Sequence, residues 1–177
     1  MEQIGDNQSR RTIHTNNYIK VVEDNGYVYL QQHEPSVVVM PYTVDENGNP
    51  VSIGIISEIS NSRPGGITKT LITGSPSEDD DNILQTAIRE LREESGISAE
   101  DVKRWRFLGN IYTSKMVSNS NPCFSVNVTG LEIKEKETDG TEDEKSSTFE
   151  MLDISDSLSL DDALVSTLFI KHFKNNF

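Results

Sequence analysis

The chain has 177 residues, enough for one domain with a sizeable core rather than two. Its 16 Lys and Arg against 29 Asp and Glu give a formal charge of −13, which disfavours broad binding to a nucleic-acid backbone or an anionic membrane. A small phosphorylated ligand is not excluded, because a bound divalent cation inverts the local field.

Met1–Arg11 is polar and reads as a flexible tail ahead of a single domain over residues 12–177. It has no hydrophobic stretch, and no run in the chain approaches transmembrane length, so a soluble, cytoplasmic protein is expected. Strand signals follow over Tyr18–Val22 and Tyr27–Gln31, flanking the hairpin turn signal Asn25-Gly26. Ser36–Tyr42 and Val51–Ile59 read as two more strands around the turn cluster Asp45–Pro50. A loop with Arg63-Pro64-Gly65-Gly66 leads to a short strand, Thr68–Thr73, which runs into Gly74. Asp79-Asp80-Asp81 then opens the best helix, about Asn82–Ser95, stopped by Gly96 as a natural C-terminal cap. Arg104–Thr113 and Pro122–Thr129 read as strands, and the second holds the one cysteine, Cys123. A lone cysteine cannot form an intrachain disulfide, and here it reads as a small apolar strand residue. Ile133–Thr148 is charged and reads as a long exposed loop; a strand, Phe149–Ile154, and a helix, Leu160–Phe173, close the chain.

Strands, one helix, more strands and a closing helix predict a sheet packed between helices. No GxGxxG pattern, phosphate loop, HExxH motif or zinc-type Cys/His cluster is present, and His14, His33 and His172 have no metal-like spacing.

The chemistry is concentrated in Arg89-Glu90-Leu91-Arg92-Glu93-Glu94-Ser95-Gly96-Ile97. At 100° per residue, Leu84, Ala87, Ile88 and Leu91 form an apolar stripe, while Glu90, Glu93 and Glu94 occupy an adjacent arc. Three carboxylates from neighbouring turns repel one another unless a cation sits among them. Hard oxygen donors presented this way suit Mg²⁺ or Mn²⁺. The bland alternative is a solvated acidic face stitched by an Arg89–Glu93 pair. The fixed spacing tells against it, since Arg-Glu-aliphatic-x-Glu-Glu-x-Gly-aliphatic arises by chance in such a chain with probability on the order of 10⁻⁵.

This segment resembles the second half of the Nudix box, Gly-x₅-Glu-x₇-Arg-Glu-U-x-Glu-Glu-x-Gly-U with U aliphatic; every fixed position from Arg89 to Ile97 agrees. The first half departs. Counting back from Arg89 puts Asp81 in the place of the Glu and Ser75 in the place of the Gly, with Gly74 one residue early. Flanking segments are similar to ADP-ribose pyrophosphatases: the apolar strand Ser36–Pro41, Ser60–Arg63, Thr70–Gly74 and the pair Asp162-Ala163.

The resemblance implies an α/β fold, a Nudix-type α/β/α sandwich with a mixed β-sheet. It implies a Mg²⁺-dependent hydrolase, with Mn²⁺ as a substitute, that cleaves the diphosphate of a nucleoside diphosphate linked to another group, ADP-ribose first. NADH, dinucleoside polyphosphates and capped RNA are the other substrates of the class. Expected metal ligands are Glu93, Glu94, Glu90 and Asp81, with Asp81 alternatively an N-cap. Glu90 is the expected base, Glu142 or Glu144 in the charged loop the alternative, and Arg89 the residue that holds the cluster. Arg63 and Gly74 are expected at the substrate. The partner is a nucleotide, and a homodimer follows by analogy. The competing reading is a Nudix-fold binding or structural module without turnover.

Overall fold

A computed structural model of the chain describes residues 10–136 and 147–174. The longest apolar run forms the central strand. It is the fourth of the chain, β4 (Val37–Val44), and its first six residues are all buried. Burial on both faces calls for such a run, and its two-residue period sorts the side chains. Val37 and Val39 join one core, while Val38, Met40 and Tyr42 join the other.

Around β4 a seven-stranded mixed sheet is ordered β10-β5-β4-β9-β8, from β5 (Pro50–Ile59), β8 (Trp105–Ile111), β9 (Asn121–Asn127) and β10 (Thr148–Asp153). Among the described residues, β4 and β9 are the one parallel pair of this sheet, with Val38 opposite Cys123 and Met40 opposite Ser125. The single strand expected over Thr68–Thr73 is two: β6 (Ile67–Thr70) pairs with β5 and β7 (Ile72–Gly74) pairs with β4. Fully buried Leu71 marks the exchange of partner. On β4, the pairing with β7 over Val37–Val39 gives way to pairing with β5 from Tyr42. Pro41, which has no N–H to donate, sits at that changeover.

Helix α1 (Ile83–Ser95) covers one face of the sheet, where Ala87 and Leu91 meet Val37, Val39, Ile72 and Phe124. A short helix, α2 (Ile154–Leu158), follows β10, and α3 (Ala163–Phe173) covers the other face through Val165, Leu168, Phe169 and Phe173. The closing helix starts three residues later than its apolar pattern suggests. Asp162 is its N-cap and accepts from the amides of Leu164 and Val165.

The first three strands form a separate antiparallel sheet: β1 (Arg11–Thr15), β2 (Ile19–Asp24) and β3 (Tyr27–Gln32). β1 begins at Arg11, the last residue of the expected tail. This sheet is stitched to the β8–β9 connection, where the Asn119 side-chain amide bonds both the N–H and the carbonyl of Gln32, at 2.8 and 3.1 Å. Among the described residues no helix is long and apolar enough to cross a membrane.

Candidate active site

The carboxylates are carried by α1, whose ends are fixed locally. Asn82 is the N-cap, its Oδ1 accepting from Leu84 N and Gln85 N, so the cap is not Asp81. Gly96 closes the helix at φ 70°, and an added Cβ there would lie 2.0 Å from the Lys134 carbonyl oxygen. Both the left-handed backbone and the close approach call for glycine.

Arg89 is the hub. Its Nη1 donates to Glu90 Oε1 and to Glu93 Oε2, each at 2.8 Å. On the other side of the guanidinium, Nη2 donates to the Ser75 carbonyl at 2.8 Å and to Asp80 Oδ2 at 3.0 Å, while Nε donates to Asp80 Oδ1 at 3.2 Å. This two-point grip uses the matching planar geometry of guanidinium and carboxylate. The hydrogen bond from Arg89 holds the Asp80 carboxyl below the usual range, against the opposing effect of burial. Burial works against the Arg89 charge, but Asp80, Glu90 and Glu93 together raise its pKa above the ordinary value.

Asp80, not Asp81, is therefore the acid that grips Arg89; Asp81 is exposed. The sequence carries the signal. Gly74 and Asp80 are six residues apart, the same step as from Gly to Glu in the box, so the extra residue lies between Asp80 and Arg89. Counting back from Arg89 hides this.

Glu90 is 8% exposed, and its carboxyl lies against the backbone of Gly74. A Cβ on residue 74 would come within 1.8 Å of Glu90 Cδ, so any larger residue there displaces the Glu90 carboxyl or the backbone. The Glu90 pKa is pushed up to about 7, first by burial and then by Glu93 and Glu94, with Arg89 opposing. Glu94 lies close enough to raise the Glu90 pKa and has partners of its own. Ser147 Oγ donates to its Oε2 at 3.1 Å, and Lys136 Nζ is 3.8 Å from the same oxygen.

The structure thus brings Glu90, Glu93, Arg89 and Gly74 together, with Glu94 a turn away on Ser147. Among the described residues no three His, Cys, Asp or Glu side chains surround a common point as metal ligands would. The donor chemistry nonetheless fits a hard divalent cation. All three glutamates offer carboxylate oxygens, Glu93 and Glu94 both act on the buried Glu90 charge, and a cation would relieve that repulsion. Glu142 and Glu144 lie outside the described residues.

Arg63 sits in a tight loop closed by Ser60 N to Gly66 O at 2.9 Å. It lines two clefts, of about 400 and 310 Å³, that border the start of α3 through Leu160, Asp161 and Asp162. Neither cleft is lined by a helix glutamate. A third cleft, about 380 Å³, is lined by Tyr18, His33, Ser36 and Ser75 among others, and so borders the residue whose carbonyl anchors Arg89.

The NUDIX domain family matches residues 32–173. No curated protein sequence gives a significant match. Among solved structures, the chain resembles the crystal structure of an ADP compounds hydrolase at 19% identity and TM-score 0.63, covering 95% of this chain and 93% of that one. It also resembles the NUDIX domain of Shewanella oneidensis NrtR complexed with ADP ribose, at 12% identity and TM-score 0.56, covering 81% and 88%. A third likeness is the C-terminal domain of mouse MUTYH in its complex with human PCNA, at 10% identity and TM-score 0.55, covering 82% and 90%. At these identities the likeness is one of fold.

Proposed function

The chain belongs to the NUDIX domain family, and on that premise we propose that it is a Mg²⁺-dependent pyrophosphohydrolase that cleaves the diphosphate of a nucleoside diphosphate linked to another group. The observation that carries this reading is the Arg89 hub. The guanidinium, held through Nε and Nη2 by Asp80 and the Ser75 carbonyl, meets both Glu90 and Glu93 through Nη1 at 2.8 Å. A merely solvated acidic face has no reason to bury Glu90 against a glycine.

In this reading Glu93 and Glu94 hold the cation, with Glu90 a third ligand or the base for its water, and with Mn²⁺ able to substitute. When bound, it would supply positive charge to the phosphoryl oxygens and lower the pKa of a water nucleophile. Arg89 sets the direction of two of the carboxylates, and Asp80 sets the direction of Arg89. In the role of base, Glu90, buried beside Gly74 and held by Arg89, positions and deprotonates the attacking water. Glu142 and Glu144 are the alternative base. Arg63 is proposed to meet a phosphate or ribose, and the cleft beside Ser75 gives room for part of the ligand. A homodimer and a cytoplasmic location belong to the same proposal.

ADP-ribose is the first substrate to try; the ADP-ribose complex of a fold relative supports that order. The test is a Mg²⁺-dependent screen of ADP-ribose, NADH, dinucleoside polyphosphates and capped RNA for phosphate-containing products. Cleavage of one or more is expected, with Glu90→Gln slower by about 10²-fold. A large loss in Glu142→Gln or Glu144→Gln with Glu90→Gln mild would move the base to that loop. Binding without cleavage across the panel would assign the chain to a binding module.

A further inference from the structure

Lys136 and Ser147 were not singled out by the sequence, yet both converge on one helix glutamate. Lys136 Nζ donates to the Ser147 carbonyl at 3.1 Å and to Ser147 Oγ at 3.0 Å. Ser147 Oγ in turn donates to Glu94 Oε2 at 3.1 Å, with the ammonium 3.8 Å from that oxygen. A hydroxyl has a single proton. With a Lys136 donor on its lone pair, that proton is directed to Glu94 Oε2, and neither contact uses Oε1.

The relay is built on fixed backbone. Ile133 bridges Ile97, and Lys134 N donates to the Gly96 carbonyl at 3.1 Å, so the chain is docked on the C-terminus of α1 two residues before Lys136. On the other side, Ser147 directly precedes β10, whose first residue Thr148 pairs with Ser57. The Lys136 and Glu94 side chains are 21% and 18% exposed, shielded enough for geometry to be held rather than averaged by solvent.

We propose that Lys136 is a positioning residue that orients Glu94 toward the cation through Ser147, an inference that rests on the metal-dependent reading above. Its sign separates it from a plain charge effect. Removing a positive charge beside a cation site by itself strengthens cation binding. Removing an orienting partner of a metal ligand weakens it, typically by 10- to 100-fold.

The test is Mn²⁺ binding to the full chain by titration calorimetry, with kcat and KM for ADP-ribose measured alongside. Lys136→Met is expected to weaken Mn²⁺ binding about tenfold and to lower kcat with little change in KM. Lys136→Arg should restore most of both. Ser147→Ala, which deletes only a hydroxyl, should match Lys136→Met and gives the same answer if that variant folds poorly. In a Glu94→Gln background, Lys136→Met should add no further loss. Unchanged or tighter Mn²⁺ binding in Lys136→Met or Ser147→Ala, failed rescue by arginine, or an undiminished loss in the Glu94→Gln background would each overturn the proposal. Folded wild-type protein that binds no Mn²⁺ would instead overturn the metal-dependent reading, and this proposal with it.

Discussion

Asp80 and Arg89, nine residues apart, are joined by two hydrogen bonds, Nε to Oδ1 at 3.2 Å and Nη2 to Oδ2 at 3.0 Å. The Asp80 side chain is only 7% exposed, so the pair is shielded from the solvent screening that makes surface ion pairs weak. It ties the loop after β7 to the second turn of α1. Arg89 is thereby aimed at Glu90 and Glu93.

Asp80→Asn keeps the size of the side chain but removes its charge, so Arg89 loses its anchor. Turnover of the cleaved substrate is expected to fall about tenfold or more, the usual scale for an outer-shell partner. Asp81→Asn, at an exposed position that holds no Arg89 contact, should cost much less. Steady-state kinetics of the two variants decide it, and a larger loss at Asp81 would return the upstream acid to that residue.

Gly74→Ala places a methyl group where the Glu90 carboxyl lies, and the backbone or Glu90 must move. Stability is expected to fall by about 1–3 kcal/mol, with turnover reduced as Glu90 is displaced. Adding Glu90→Ala removes the clash, so part of the lost stability should return without the activity. Urea unfolding of the four species measures this. Additive losses would mean that residues 74 and 90 do not meet.

Millimolar Mg²⁺ or Mn²⁺ is expected to raise the thermal midpoint, because a ligand that binds only the folded state stabilises it. Glu93→Gln with Glu94→Gln should abolish the rise. Without metal, Glu90→Gln should be at least as stable as the wild type at neutral pH, since it removes a carboxylate whose ionisation is opposed by burial. A wild-type midpoint indifferent to both cations would remove the metal from the site.

His172 gives the pH dependence. Its ring packs on Tyr42 and Phe173, with Nδ1 2.6 Å from Ser125 Oγ. Burial, with Arg106 nearby, lowers its pKa to about 4 from 6.5. Between those values the unfolded chain takes up a proton that the folded one does not. Its contribution is therefore fully present above about pH 6.5 and is lost as the pH falls toward 4. The ring is partly open to water, so the loss should be roughly 1 kcal/mol rather than the full amount of the shift. His172→Gln should flatten this part of the stability–pH curve; an unchanged slope would show that His172 does not cause it.

The helix that carries the glutamates was legible in the chain because its causes are local. Asn82 and Gly96 fix its ends, and a 3.6-residue period sets Ala87, Ile88 and Leu91 inward. The apolar run within Ser36–Tyr42 declared a strand for the same kind of reason, and the structure adds that β4 is buried on both faces. The apolar pattern of the closing helix begins three residues before the helix itself, since Leu160 continues the pattern while the cap at Asp162 decides the start.

What the chain alone determined was the acid-rich helix and the carboxylate chemistry it offers, because spacing along one helix fixes which side chains share a face. What only the tertiary structure decided was which partners complete that face. An inserted residue between Asp80 and Arg89 leaves local propensity unchanged, so counting selected Asp81, and only the folded loop shows the grip on Asp80. Leu71, where one run splits between β5 and β4, depends on neighbours that are distant in sequence. Ser147 lies 53 residues from Glu94 and carries no motif. Such contacts are set by sheet pairing and by the packing of α1 against it, which no local rule encodes.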